Sequence, residues 1–588
     1  MPINVFNMNL KNNMGLNIKK ILIRSFFLYI FIVNKFNFKK VYIDIKGYNI
    51  IKKKGLFDSE YYLENVISIG EFKPNPLLHY IYYGGFEKKD PNPNFSSDFY
   101  LNKYNAVKTS KLNPLIHYVL YGFKEGRMPN IIKDSQEKYQ SIINQNREKV
   151  NIVHFSEDSP LVSIIILNRN GLSHLKRLFK NFKENIQYPN YEVIIMDNGS
   201  TDESIEFLKE IKNIPIKIIE NEVNESFSRA NNKGVEIANG EFVLLLNNDI
   251  ETTYGWLNEM MQTSFRNNHN GTVGAKLVYP LLFTKNKKKK PFSIRHIGIA
   301  FSERSNGGVI AYNMGNKLEP FNEKSNTESI RAGVTAAALL VKKSIFEEVN
   351  GLDENYIYGY EDVDFCLKIL KKGYKNIYCP NSLLFHHEHG TDESINTRRD
   401  QVYRSKLNKT VLYCKWNKYL VKNIINEKLN KKPLLNEKPL NIVFISNSIK
   451  NNRLKRFLYS LTHEINKYGW ESKIMYMDEE NVYNLNRDID ILISTVPNYY
   501  PQEITKVKGS LIKFGLILDL PEKWSRNPVI GEYDLLITPE QEFHDYLKHN
   551  SIESNILIKQ REFIQFIENT VPILIEDYIS KYDDYFNK

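Results

Sequence analysis

The chain has 588 residues, 42% of them hydrophobic and 25% charged; at ~150 residues per domain this is too long for one core and implies roughly three or four folded units. Lys and Arg number 80 against 68 Asp and Glu, a net charge of +12, which suits nucleic acid, an anionic membrane surface or a phosphorylated substrate and selects none of them. The three cysteines, Cys366, Cys379 and Cys414, form no CxxC pair and are odd in number; they support neither a disulfide framework nor a zinc knuckle, and a reducing cytosol is the expected home.

Residues 1–50 form a basic, hydrophobic N-terminal segment. Its run Ile21 to Val33 is interrupted by Arg24 and falls well short of the ~20 apolar residues a spanning helix needs. No small-residue cleavage site follows, so a signal peptide is not expected either. A helix buried against the rest of the chain is the expectation, with peripheral contact on the inner face of the cytoplasmic membrane as the alternative.

Residues 51–135 hold an internal repeat. Phe57-Asp58-Ser59-Glu60-Tyr61-Tyr62-Leu63 recurs 38 residues later as Phe95-Ser96-Ser97-Asp98-Phe99-Tyr100-Leu101, and Asn75-Pro76-Leu77-Leu78-His79-Tyr80 recurs as Asn113-Pro114-Leu115-Ile116-His117-Tyr118. Each copy closes on a glycine (Gly84, Gly122) and a proline (Pro91, Pro129), the pattern of a short helical unit that buries its aromatic face on its neighbour. His79 and His117, framed by Leu and Tyr, are read as packing or capping positions.

From Pro160 the pattern alternates between strands and helices. Leu161 to Leu167 is a β-branched run ending in Asn168-Arg169-Asn170-Gly171, followed by Leu172, Leu175, Leu178 and Phe179 at helical spacing. Tyr191 to Met196 is a second strand, ending in Asp197-Asn198-Gly199-Ser200-Thr201-Asp202, which can cap a helix starting near Glu203. Ile216 to Ile219 is a third strand, Arg229 to Ala238 a helix, and Phe242 to Leu246 a fourth strand running into Asn247-Asn248-Asp249. This is an α/β pattern with a mainly parallel sheet, whose ligands bind at the carboxyl ends of the strands.

Two of these clusters carry chemistry. A buried strand that ends in a carboxylate-tipped loop can hold a divalent cation against a diphosphate, and a distant acidic pair can act as a base. The pair is Glu361-Asp362, which precedes Val363, Cys366, Ile369 and Leu370, a spacing that gives a helix an apolar face and places both acids in its first turn. No GxGxxG or GxxxxGK[ST] occurs, which argues against dinucleotide oxidation and P-loop phosphoryl transfer.

The segments VSIIILNRNG, IIMDNGSTDES, NNKGVEIANGEFVLLLNND, VNGLDENYIYGYEDVDFCLKILKKGYKNIYCP and FHHEHG together resemble the family 2 inverting glycosyltransferases of GT-A fold, over roughly residues 160 to 395, and define a domain at 155–396. The N-terminal repeat resembles one found beside glycosyltransferase domains in bacterial surface-polysaccharide proteins. The resemblance implies that Asp197 contacts the base or ribose of a nucleotide, supported by Asn198 and Asp202, with Asn168, Arg169 and Asn232 beside it. For Asp197 and, more so, for Asp202 a helix cap is the competing role. Asn247-Asn248-Asp249 occupies the place of the family's DxD. Asn247 stands where a carboxylate is usual, leaving Asp249 as the single anionic ligand; one carboxylate plus substrate phosphates still suffices for Mg2+ or Mn2+.

By the same resemblance Asp362 is the catalytic base that deprotonates the acceptor hydroxyl, and Glu361 orients the acceptor. His386, six residues past Pro380, falls where the family places a metal or diphosphate ligand, with His387 and His389 crowding it. Arg331 to Ala336 falls where the acceptor pocket is built. Tyr358 and Tyr360 are candidates to stack on sugars, with packing as the default role. The run Lys287 to Lys290 is read as a solvated loop, and no nucleic-acid module is present.

A basic helical connector is expected at 397–438, then a second α/β pattern at 439–588. Asn441 to Ser446, Lys473 to Met477 and Ile489 to Ser494 read as strands, with a helix from Leu454 to Ile465. Leu516 to Trp524 and Glu532 to Ile537 resemble the N-terminal half of GT-B glycosyltransferases. The length allows one Rossmann-like lobe and not two, so an accessory lobe for acceptor or partner binding is expected. The whole is read as an inverting transferase that takes a sugar from a nucleotide-diphosphate sugar to a glycan or lipid-linked glycan acceptor of the cell surface. The alternative is a non-catalytic glycan-binding or scaffold protein in which Asn247 marks decay.

Overall fold

The computed structural model describes residues 38–64, 75–123, 125, 127–280, 291–305, 307–357, 359–387, 398–447, 452–478, 481–485, 488–504, 507–556 and 560–586. The N-terminal apolar run 21–33, the lysine run 287–290, Tyr358 and His389 lie outside the described residues. The chain divides into two compact units, 1–142 and 143–588, each described by itself. Among the described residues no helix is long and apolar enough to cross a membrane.

In the first unit the two sequence copies make matching contacts. Asn75 and Asn113 each accept a hydrogen bond at the start of a short helix, from the N–H of Leu77 at 3.1 Å and of Leu115 at 3.0 Å, with a proline in the first turn, where its missing N–H costs nothing. These helices, Pro76–His79 and Pro114–His117, continue as π-helical turns, Tyr80–Gly84 and Tyr118–Gly122. The side-chain amide of Asn113 donates to the carbonyls of Tyr80 and Ile81 at 3.0 and 3.1 Å, so the second copy satisfies carbonyl oxygens in the first copy's π turn. The buried hydroxyls of Tyr62 and Tyr100 lie 2.8 and 3.1 Å from Nδ1 of His79 and His117, which gives both histidines a packing role.

The second unit begins with four parallel strands, β1 (Val162–Asn168), β2 (Tyr191–Asp197), β3 (Ile216–Glu220) and β4 (Phe242–Asn247). They are joined by α1 (Leu172–Phe179), α2 (Ser204–Glu210) and α3 (Phe227–Glu236). Helix α3 starts two residues before the expected Arg229 because Ser226 caps it, accepting from the N–H of Arg229 at 3.2 Å. The sheet is completed by β5 (Ile250–Thr252), β6 (Asn270–Val278), β7 (Ile294–His296), β10 (Ser329–Arg331), β11 (Ala338–Lys342) and β12 (Lys375–His386). Between β7 and β10 lies a separate hairpin, β8 (Ile299–Glu303) and β9 (Val309–Asn313). The order is β10-β12-β6-β11-β4-β1-β2-β3, with β11 antiparallel to both neighbours. Both faces are covered, Ile164, Ile166 and Leu244 packing on one side and Ile165, Val243 and Leu245 on the other. That is why the strands read as continuous apolar runs.

Helix α4 (Glu361–Lys371) lies between β11 and β12 in sequence, and a long helix, α5 (Arg398–Leu429), leads out. A second sheet follows, with β13 (Asn441–Ser446), β14 (Glu471–Tyr476), β15 (Ile491–Ser494), β16 (Ile512–Leu516), β17 (Leu535–Thr538) and β18 (Asn555–Ile556). All its pairs are parallel, in the order β14-β13-β15-β16-β17-β18, and α6 (Gln560–Phe586) closes the chain. Trp416 and Leu420 of α5 share one core with Phe444, Phe514 and Phe563 of this lobe and with Phe301, Val363 and Leu367 of the preceding sheet region. Each such side chain contributes ~1.5–3 kcal/mol by leaving water, so the lobe is joined to its neighbour by apolar burial as well as by the chain.

Candidate active site

Strand register assembles the first cluster. Asn168 at the end of β1 stands opposite Asp197 at the end of β2, and Leu167 stands opposite Asn247 of β4. The Asn168 amide donates to Asp197 Oδ1 at 3.0 Å, and its carbonyl oxygen accepts from the Asn248 amide at 2.9 Å. One buried asparagine thus ties the loops after β1, β2 and β4 together. Gly171 makes the tie feasible, since a Cβ there would stand 2.3 Å from Asn168 Oδ1 and 2.5 Å from Asn248 Nδ2.

Asp197 also accepts from the N–H and hydroxyl of Ser200 at 2.8 and 2.6 Å. Asn198 donates to the carbonyl of Glu225 at 3.0 Å and accepts from the Asn221 amide at 2.9 Å. Arg169 carries a buried Nε without a hydrogen-bond partner. Asp202 accepts from the N–H groups of Leu172 and Ser204, both at 3.1 Å, so it caps the first turns of α1 and α2. Asn232 bonds to a different segment. Its amide donates to the Leu352 carbonyl at 2.9 Å and to Glu354 at 3.1 Å, and its oxygen accepts from the Leu352 N–H at 2.9 Å. Both ends of this amide pin the 352–354 loop to α3 and do not join the cluster around Asn168.

Asp249 and His386 meet because β5, starting one residue after Asp249, pairs antiparallel with the end of β12 in the register Ile250 to His386. Asp249 Oδ1 lies 3.2 Å from His386 Nε2, yet Asp249 Oδ1 and His386 Nδ1 are both buried without a hydrogen bond. Burial opposes ionisation of Asp249, and the adjacent His386 more than offsets it, so the carboxyl sits below its usual range. His387 turns away: its Nε2 lies 2.9 Å from Glu251 Oε2, while its N–H bonds to the Asp249 carbonyl at 3.0 Å.

A cavity of about 400 Å3 has Asn247 and His386 in its lining together with Glu361, Asp362, Thr335 and Tyr312. The two acids begin α4 after Tyr360, which adopts a left-handed φ of 76° and also lines the cavity. Glu361 is pushed up to about 8 by burial and by repulsion from Asp362, and its Oε2 has no hydrogen-bond partner. Asp362 is also raised by burial, against N–H donors: Ala336 reaches its Oδ2 at 3.2 Å and Val363 its Oδ1 at 2.8 Å. The donors favour the ionised form of Asp362, and crowding favours the neutral form of Glu361, so the pair holds one shared negative charge on Asp362.

Sequence reasoning passed over two residues here. Asp364 is fully buried and accepts from the Trp416 indole N–H at 2.6 Å and pairs with Lys415 at 2.7 Å, holding α4 to α5. Its position in the first turn with Glu361 and Asp362 hid this role, because acids at a helix start are ordinary. His296 is 1% exposed, and burial pushes it down to about 3, so it is neutral. Its Nε2 accepts from the Thr335 N–H at 3.2 Å, which leaves Nδ1 to donate to Asn313 at 2.8 Å. Nothing in the local pattern around His296 marks it out. Of the segment 331–336, Thr335 and Ala336 line the cavity, whereas Arg331 donates to the Ile297 carbonyl at 3.1 Å.

Among the described residues no group of three or more His, Cys, Asp and Glu is set to hold a metal ion. Asp249 and His386 nonetheless offer an ionised carboxylate and an imidazole with unused buried polar atoms, a donor set that suits a cation completing its shell with substrate phosphates.

A mainly parallel sheet with polar loops gathered at its strand ends and an acidic helix start beside them is the architecture of a GT-A fold. Residues 163–341 match the family described as glycosyl transferase family 2, and residues 313–390 match that described as the N-terminal domain of galactosyltransferase; this part of the chain is similar to family 2 glycosyltransferases. The chain is 33% identical over 242 residues to an uncharacterized protein of Sinorhizobium fredii, covering 40% of this chain and 25% of that one. It is 26% identical over 234 residues to the O-antigen biosynthesis protein RfbC of Myxococcus xanthus, with 39% and 17% covered. Over 236 residues it is 25% identical to an N-acetylglucosaminyl-diphospho-decaprenol L-rhamnosyltransferase of Mycobacterium tuberculosis, with 37% and 72% covered. The chain thus spans a quarter or less of the first two relatives.

Proposed function

We propose that this chain is an inverting glycosyltransferase that moves a sugar from a nucleotide-diphosphate sugar to a hydroxyl of a growing cell-surface glycan. The observation that carries the reading is the single cavity that brings Asn247 and His386, beside Asp249, together with Glu361 and Asp362. Donor-side and acceptor-side chemistry therefore share one space. Asp197, Asn198, Asn168 and Arg169 form the nucleoside side; Asn232 is left out, because its amide is spent on Leu352. Mg2+ or Mn2+ would be held by Asp249 and His386, with Asn247 beside them, and supplies charge neutralisation for the departing diphosphate.

Asp362, the ionised member of the acidic pair, takes the proton of the acceptor hydroxyl as that oxygen attacks the anomeric carbon from the face opposite the leaving group. Glu361, protonated at neutral pH, is able to donate a hydrogen bond to an acceptor oxygen and so orient it. One displacement inverts the centre, so no covalent sugar intermediate and no second nucleophilic carboxylate are needed. The names of two relatives, in O-antigen biosynthesis and in transfer to a diphospho-decaprenol acceptor, support a lipid-linked or surface glycan acceptor. The net charge of +12 suits peripheral contact with an anionic leaflet.

The test is calorimetric titration of UDP-sugars and dTDP-rhamnose, with and without Mn2+, into the intact chain and an Asp249→Ala variant. Metal-dependent binding that disappears in the variant is the expected result. Well-folded protein that binds none of these nucleotides would instead favour a glycan-binding scaffold.

A further inference from the structure

The β8–β9 hairpin has two ends with different neighbours. At the end near the site, the Ile299 N–H bonds to the Gly333 carbonyl at 2.8 Å, Asn313 accepts from His296 at 2.8 Å, and Tyr312 and Asn313 line the cavity that holds Asp362. Along its middle, the Phe301 N–H donates to the Leu435 carbonyl and the Asn436 amide donates to the Phe301 carbonyl, both at 2.8 Å. At the turn end, Asn417 of α5 accepts from the Val309 N–H at 2.9 Å and donates to the Gly307 carbonyl at 3.1 Å.

The C-terminal lobe holds the same end. The Gly509 N–H bonds to the Arg304 carbonyl at 3.0 Å, the Ser510 N–H bonds to Glu303 Oε1 at 2.7 Å, and the Ser510 hydroxyl donates to Oε2. Burial raises the buried Glu303 carboxyl above its usual range, opposed by the charge of Lys508, whose Nζ lies 2.6 Å from Asp490 Oδ1; Asp490 in turn lies 3.0 Å from Lys428 Nζ. Lys508, Asp490 and Lys428 form a buried ion chain whose charges persist only while paired, and this fixes the 508–510 segment whose Ser510 bonds hold Glu303, and the hairpin with it, at a set position on the lobe.

We propose that the C-terminal lobe is a positioning clamp for the acceptor side of the cavity: through Gly509 and Ser510 it fixes the β8–β9 hairpin and thereby the placement of Tyr312 and Asn313. Asn168, Asp197 and Asp249 are carried by the ends of β1, β2 and β4, so the clamp governs acceptor recognition and leaves nucleotide binding alone. The acceptor assignment rests on the transferase reading above, whereas the mechanical coupling does not.

Gly509→Ala in the full-length chain is the direct test, because a Cβ at 509 would stand 2.6 Å from the Cα and N of Gly307, away from the cavity, and 2.8 Å from the Tyr578 hydroxyl. Ser510→Ala is the milder second variant, should the first fail to fold. Three quantities are read: hydrogen exchange of 299–313, nucleotide affinity by calorimetry, and KM for p-nitrophenyl glycoside acceptors against KM for the donor. The expected result is hairpin exchange faster by about tenfold with β4 and β11 unchanged, nucleotide affinity within about twofold, and an acceptor KM raised by about tenfold. Tyr312→Ala should reproduce the acceptor effect without the change in exchange. Hairpin exchange at the wild-type rate in both folded variants overturns the clamp, as does an equal loss on the donor side. If the wild-type protein binds no nucleotide, the transferase reading fails, and the exchange data still decide whether the lobe holds the hairpin.

Discussion

Asp362 and Glu361 sit side by side yet are asked for opposite protonation states, and the reason is local. Asp362 receives two main-chain N–H donors, whereas Glu361 Oε2 receives none. Asp362→Asn should lower kcat by about a hundredfold or more while nucleotide affinity persists, read by steady-state kinetics beside calorimetry. Burial raises Asp362 above the ordinary carboxylate range of about 4, so a base that must be ionised gains activity on the acid limb as it loses its proton, and activity falls again as Glu361 loses its own near about 8. A kcat/KM that stays flat through the alkaline limb would contradict the role of protonated Glu361. Glu361 also affects stability. Its carboxyl is raised on folding, so its contribution is fully present below the unfolded value of 4.5 and is lost as pH climbs from there to about 8. Thermal midpoints of the wild type should therefore fall more steeply from acid pH up to about 8 than those of Glu361→Gln.

The element scale explains why residues far apart in sequence share the site. The antiparallel pairing of β5 with β12 carries His386 to Asp249, and α4 is aimed at the cavity while its Asp364 is held by Lys415 and Trp416 of α5. Asp364→Ala leaves the buried Trp416 indole N–H without its acceptor, while Lys415 keeps Asp353 at 2.7 Å, and should cost about 1–3 kcal/mol, measured by urea unfolding followed through tryptophan fluorescence. A loss near zero would mean that α5 is held by apolar packing alone. Gly171→Ala acts more narrowly. It should break the Asn168–Asn248 tie and weaken nucleotide binding by about tenfold, with unfolding little changed.

At the scale of the whole molecule, the second unit is held by a core that ignores the expected boundary near 438. Phe301, Trp416, Phe444 and Phe563 belong to one cluster, so a chain ended at 438 would leave a large apolar face in water. Such a truncation, tested by size exclusion and calorimetry, should give aggregated protein without a cooperative transition; a well-folded monomer would show that the lobe is dispensable for stability.

Much of this was legible along the chain. The apolar runs of β1, β2 and β4, each followed by a polar loop, together with the acidic start of α4, needed only periodicity and residue chemistry, because both faces of a parallel sheet must be apolar and its ligands gather at the strand ends. What sequence could not supply were relations set by packing at a distance. The motif around Asn232 gives no sign that its amide bonds to Leu352, 120 residues away. His296 carried no local signal, and its neutrality follows from burial alone. The buried ion chain of Lys428, Asp490 and Lys508 joins three separate segments. Local order sets which residues are apolar, acidic or turn-forming, and so the sequence by itself determined the domain class and the candidate acids; which polar groups share a desolvated space depends on register and on burial, and only the tertiary structure decided that.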